Sequence, residues 1–193
     1  MKKTLLTFIV GLLASVTLAQ TGSDPTYGFG TVPVQDGKVT FVREIACNGY
    51  DLSTAFKTVS AFMKGRYVKP IVLSGRISES DTDMSIRATE KLTFKKTALV
   101  TDETEISYTL SVKIADEKCI LTFTDIAYSY EEEREGSGMH FTAEEWITDE
   151  EAFNRSGSKL LKMTGKFRIK TIDMVNDIAK QVEDAINSQQ ADK

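Results

Sequence analysis

Glu105-Ile106-Ser107-Tyr108-Thr109-Leu110-Ser111-Val112-Lys113-Ile114 carries an apolar residue at every even position and a polar one between. Period two with β-branched and aromatic residues is the pattern of a strand with one buried face. A polar corner, Ala115-Asp116-Glu117-Lys118, separates it from a second alternating run, Cys119, Leu121 and Phe123. Together they predict a β-hairpin, although the corner lacks the glycine such turns favour. After Asp125 the apolar positions change parity to Ile126, Tyr128 and Tyr130. One extra residue, a β-bulge, accounts for that slip.

Upstream, Val39, Phe41 and Ile45 share one strand face, which Arg43 interrupts, and Asn48-Gly49 closes the strand. Asp51 or Ser53 can cap a helix over 52–67, whose stripe is Ala55, Phe56, Val59, Phe62 and Met63. Ile71, Leu73 and Ile77 set the phase of the next strand, and Met84, Ile86, Ala88, Leu92 and Phe94 that of a third. Glu90 falls in that same apolar phase, which predicts a bulge or an edge position there. Thr101–Glu105 reads as an acidic loop and Glu131–Gly138 as another. Downstream, Thr142-Ala143-Glu144-Glu145 is a capping-box pattern, predicting a short helix with Trp146 and Ile147. Ile172, Val175, Ala179, Val182 and Ile186 then mark a long amphipathic helix, with Gly165 a weak point near its start. The order β-α-β-β-β-β-α predicts an α+β fold: a single five-stranded antiparallel sheet with helices packed on one face.

Lys2 and Lys3, a short apolar run over 5–16 and the small residues about Ala19 read as a signal peptide over 1–19. The run is too short to span a bilayer, so no membrane anchor is expected after cleavage. The product is exported, periplasmic or secreted, and begins at Gln20. Losing Lys2 and Lys3 takes the formal charge from -4 to -6, the wrong sign for general nucleic-acid binding. A flexible arm over 20–34, one domain over 35–188 and a frayed tail over 189–193 complete the organisation.

Val32-Pro33-Val34-Gln35-Asp36-Gly37-Lys38-Val39-Thr40-Phe41 resembles the opening motif of domain of unknown function 4468, an exported Bacteroidetes family with a TATA-binding-protein-like fold. Tyr108-Thr109-Leu110 and the closing Phe167-Arg168-Ile169-Lys170-Thr171-Ile172-Asp173 resemble later parts of the same pattern. The resemblance implies the fold and an exported location, and it brings no catalytic residues. It also implies that the first and last strands lie antiparallel side by side. Cys47 and Cys119 would then share a face, either as a disulfide, which export permits, or as two buried thiols.

Glu79, Asp81, Asp83, Ile86 and Glu90 fall at calcium-loop positions, but Met84 occupies the place that needs glycine and the flanks read as strands. No metal or cofactor is expected, and a calcium-stabilised module stands as an alternative. His140, the single histidine, has no nucleophile motif near it. Glu131-Glu132-Glu133 with Glu144-Glu145 offers a second alternative, a hydrolase-like enzyme using paired carboxylates. The remaining candidate is the outer sheet face, where Arg76, Arg87, Lys91, Lys95 and Lys113 stand among serines and threonines. The TATA-binding fold uses that face on DNA, with apolar wedges that kink the duplex. Hydroxyls in their place, with export, turn the expectation to a non-enzymatic binding module for an envelope protein or glycan, with no nucleic-acid partner.

Overall fold

The structure, a computed structural model, describes residues 24–69, 72–131 and 138–191. The signal-peptide reading, and Glu132 and Glu133 of the acidic loop, lie outside them. A small hairpin, β1 (Val34–Gln35) and β2 (Lys38–Val39), turns at Asp36-Gly37 and precedes β3 (Phe41–Ala46). Helix α1 (Leu52–Arg66) follows, then β4 (Val72–Glu79), β5 (Asp83–Lys96), β6 (Thr101–Ala115), β7 (Lys118–Tyr130) and β8 (Met139–Thr142). A one-turn α2 (Asp149–Ala152) leads to α3 (Lys162–Ala191). The main sheet is antiparallel in the order β3-β7-β6-β5-β4, and β8 pairs with the remaining length of β7. It therefore has six strands where five were expected, because β8 continues the edge that β3 leaves. The predicted neighbours do meet: Phe41 pairs with Phe123 and Ile45 with Cys119.

Alternation sorts the side chains as the sequence requires. Ile106, Tyr108, Leu110, Val112 and Ile114 are buried, as are Cys119, Leu121, Phe123, Ile126, Tyr128 and Tyr130 on β7. Burying one such Leu or Ile contributes about 1.5–3 kcal/mol, so the row outweighs any single surface contact. Against it pack Ala55, Phe56, Val59 and Met63 of α1, and Phe167, Ile172, Val175, Ile178, Val182 and Ile186 of α3. The Asp51 carboxylate caps α1 by accepting from Thr54 N–H at 3.0 Å. At Gly75 a Cβ would lie 3.3 Å from the Tyr67 carbonyl oxygen, a tight contact that glycine avoids where the chain leaving α1 passes β4. Helix α3 continues past Ser188, through part of the tail expected to fray.

Three bulges correct the expected phases. On β7, Thr109 pairs with Thr124 and Ser107 with Ala127, so one residue is extra, and Asp125 takes φ 51°. This is the slip read from the sequence. On β4 the extra residue is Leu73, which turns it outward to 44% exposure, out of the phase expected of it. On β5 the extra residue is Phe94: Thr93 pairs with Glu103 but Lys95 with Asp102. Glu90, where a bulge or edge was expected, is buried and pairs regularly with Ile106 of β6, while the β4 bulge lies directly against it, between its partner Val72 and the Ser74–Thr89 pair. Its carboxylate accepts from Arg66 Nη1 and Nη2, at 2.8 and 3.0 Å, and from the Tyr108 hydroxyl. Thr101–Glu105, expected as a loop, opens β6.

The stretch from Asp24 that read as a flexible arm lies against α3. Buried Arg168 donates to the carbonyls of Tyr27, Gly28 and Ile147 at 3.1, 2.6 and 2.7 Å, and to Asp149 at 2.8 Å. Tyr27 adds a hydroxyl bond to Asp173. The capping box at Thr142 forms in both directions, yet only turns follow over 143–147, and the helical turn begins at Asp149.

Candidate functional site

Both long helices pack on the inner face, so the outer face presents the odd-numbered residues of β5 and β6. Pairing places Ser74 opposite Thr89, Arg76 opposite Arg87, Thr89 opposite Ser107, Arg87 opposite Thr109, and Thr109 opposite Thr124. All of these but Thr124 line a hollow of about 680 Å³ that crosses β4, β5 and β6 and reaches Asp125 of β7. Three strand spacings separate Arg76 from the β7 wall, about 14 Å. No aromatic ring faces into it from Tyr108, whose hydroxyl lies in the core on Glu90 and, at 2.9 Å, on Tyr67.

The bulge sets the far wall. A residue in the left-handed region re-aims its side chain relative to a regular strand. Asp125 faces Lys38 of the small hairpin, with Nζ 3.0 Å from Oδ1. The Lys38 hydrogen bond and charge hold the Asp125 carboxyl below its ordinary range, aided by Thr109 and Arg87. Lys38 thus matches Asp125, while Arg76 and Arg87 make no ion pair among the described residues.

The five basic candidates separate. Arg76 and Arg87 come together in the hollow. Lys91 lies on the same face about 13 Å along β5 from Arg87, bound to Glu103 at 2.7 Å. Lys113 is about as far the other way, opposite Asp83 and Ile120. Lys95 leaves the face: the extra Phe94 moves it into phase with Asp102, which reaches α3. Sequence reading missed Lys38 and Asp125 as site residues. The parity change at Asp125 was the signal for the second, while nothing local announces that Lys38 folds over the sheet.

The other candidates disperse. Glu79 is bound by Ser60 and Lys64 of α1, and Glu90 by Arg66, while the Asp83 carboxylate accepts from Thr82, so the supposed calcium ligands do not converge. Among the described residues no group of three His, Cys, Asp or Glu side chains could hold a metal ion. Glu144 accepts from Val39 N–H at 2.7 Å, and Glu145 closes the capping box. Glu131 does share a hollow of about 610 Å³ with Asp102, Glu103 and Glu105. Asp102, however, accepts from Lys166 Nζ at 2.9 Å and from the Tyr130 hydroxyl at 2.8 Å. Burial alone would raise its carboxyl, but these hydrogen bonds hold it below the ordinary range, the wrong direction for a proton donor. Lys166 itself sits 4.4 Å from the ring centres of both Phe94 and Tyr130. His140 Nδ1 lies 3.0 Å from Ser129 Oγ at the surface.

Cys47 and Cys119 are both buried and both free thiols, not a disulfide. Burial, with Cys47 nearby, pushes the Cys119 thiol up to about 12. A thiol so protected has little nucleophilic thiolate at neutral pH.

Residues 41–129 match the model of a family described as a domain of unknown function (DUF4468) with TBP-like fold. Among solved structures, a DUF4468 family protein from Bacteroides ovatus is 29% identical, with a TM-score of 0.76 over 86% of this chain and 95% of that one. A TBP-like protein from Parabacteroides distasonis is 20% identical, with a TM-score of 0.67 over 81% and 97% of the two chains. Among curated proteins, none matches. The fold is thus α+β and TBP-like, an antiparallel sheet with helices packed on it.

Proposed function

We propose that this chain is an exported member of the DUF4468 family and a non-enzymatic binding module, with the outer sheet face as its ligand surface. The observation that carries the reading is the opposed Arg76–Arg87 pair in a hydroxyl-lined hollow, on the face that neither long helix covers. Export rests on the leader-like residues at Lys2, Lys3 and Ala19, and among the described residues no helix is long and apolar enough to cross a membrane. The absence of catalysis is supported by the way the carboxylates are engaged. Asp102, Glu103, Glu144 and Glu145 each hold a partner within the fold. The ligand we have in mind is an envelope protein or glycan.

Charge reversal at Arg87, Lys91 and Lys113 together tests it. The variant should fold with an unchanged circular dichroism spectrum and lose retention on a washed cell-envelope fraction. Retention equal to that of the parent chain would refute the outer face as the binding surface.

A further inference from the structure

Resting on the outer-face reading, we infer that Arg76 and Arg87 form a clamp for an oxyanion: a phosphate, sulfate or carboxylate group carried by a polar ligand. Like charges directly opposite on antiparallel strands destabilise the pair. In this chain acidic residues outnumber basic ones, 28 to 24, so compensating carboxylates are plentiful. Lys38, Lys64, Lys91, Lys118 and Lys166 each have one within ion-pair distance. Arg76 and Arg87, adjacent by register, have none among the described residues. The bulge brings an acid, Asp125, to the far wall of the same hollow, and Lys38 meets it there. Arg87 acts on Asp125 only through its charge across the hollow, so both guanidinium forks keep their donors for a group from outside.

The surroundings narrow the chemistry. A guanidinium presents a planar fork of donors that matches an oxyanion in bidentate fashion, and two forks from neighbouring strands can grip one group from both sides. Ser74 and Thr89 lie one pleat away on the same face, and Ser107 and Thr109 continue it on β6. Hydroxyls there can donate to the anion or accept from the ligand's own hydroxyls. The hollow is lined by no Phe or Trp, so recognition runs through charge and hydrogen bonds without ring stacking.

The test compares the parent chain with Arg76→Gln and Arg87→Gln by thermal melting and isothermal titration. The probes are sodium phosphate, sodium sulfate and sodium acetate, each at an ionic strength matched with sodium chloride. At least one anion should raise the melting temperature of the parent chain and bind it at least tenfold more tightly than either variant. Arg→Lys variants should recover only part of this, since the fork is lost. Which of the three anions shows the dependence identifies the group. Phosphate and sulfate also stabilise proteins by exclusion from their surface, but that effect is the same in all variants. Equal shifts in the parent chain and both variants would overturn the clamp. So would a fall in the anion-free melting temperature of both variants, which would mean that the arginines brace the strands. Lys91→Glu/Lys113→Glu leaves both arginines in place and separates the two readings. If it loses envelope retention while the anion test fails, the clamp falls and the binding face stands. If it keeps retention while the anions bind, the clamp stands alone.

Discussion

Replacing Glu90 by Leu should be among the most damaging single changes to this protein. The Glu90 carboxylate takes two hydrogen bonds from Arg66 and one from Tyr108, at a place where the Arg66 and Glu90 side chains are 9% and 4% exposed. Burial disfavours the charge on Arg66, yet the Glu90 hydrogen bonds and neighbouring groups hold its ionisation above the ordinary range. Without Glu90 the guanidinium remains charged and buried with no acid beside it. Removing one partner of a buried pair costs about 3–5 kcal/mol. For a domain of this size each kcal/mol lowers the melting temperature by about 2–4 °C, so the fall is roughly 6–20 °C. The double variant Arg66→Met/Glu90→Leu should return to within about 1 kcal/mol of the parent chain, because apolar side chains of similar volume replace such pairs at little net cost. Tyr108 would then still share a hydrogen bond with Tyr67. Urea unfolding of the parent chain, both singles and the double measures the coupling. A single-variant cost under about 1 kcal/mol, or a double equal to the sum of its singles, would refute the account.

Two further outcomes follow from the hairpin. Asp116 and Glu117 both take positive φ, 50° and 58°, as the central residues of a type I′ turn do. Asp tolerates this region, whereas Glu carries a penalty of about 1–2 kcal/mol. Glycine gives some of that back through its freer unfolded state, so Glu117→Gly should stabilise by about 0.5–1 kcal/mol. An unchanged or lowered urea midpoint would contradict the turn assignment. Burial raises the Cys119 thiol to about 12, above the unfolded value of ~8.5. Its contribution is therefore fully present below about pH 8.5 and falls away as pH rises towards 12, by about 2 kcal/mol at pH 10. Between pH 8 and 10 the parent chain should lose more stability than Cys119→Ala; parallel losses would show that the thiol is not the cause.

The hairpin, the Asp125 bulge and the neighbouring of β3 with β7 were legible because alternation writes a buried face directly into the sequence. Of the other two, the bulge beside Glu90 was foreseen but not its place on β4, and the one at Phe94 was silent. Leu73 and Phe94 are apolar, so the residues that break the phase look like its continuation. That is why Lys95 was placed on the wrong side. Glu90 announced itself as a misfit, but its partner is the last residue of α1, a position that reads as solvent-facing. The docking of residues 27–31 was hidden for a different reason. Arg168 holds mostly backbone carbonyls there, and any residue supplies a carbonyl. In the candidate site, the basic and hydroxyl residues were visible as a stripe. Which two meet, and that Lys38 answers Asp125, depends on register and on a fold-back that no local pattern encodes.

The Asp125 bulge also decides how many ways the sheet can be assembled. Before it, β7 buries odd positions, Cys119, Leu121 and Phe123; after it, even positions, Ile126, Tyr128 and Tyr130. Uniformly alternating strands can slide by two residues and still bury their apolar set, the degeneracy that permits misregistered pairing. A strand whose parity reverses partway cannot. The β3 ladder stops at Phe123 and the β8 ladder starts at Ala127, so a slide by two past either strand would push the bulge into a ladder that now avoids it. Since β3 and β8 flank the bulge on the same edge of β7, a slide in either direction meets one of them. The irregularity that shapes one wall of the hollow thereby pins the register of β7 against the edge formed by β3 and β8.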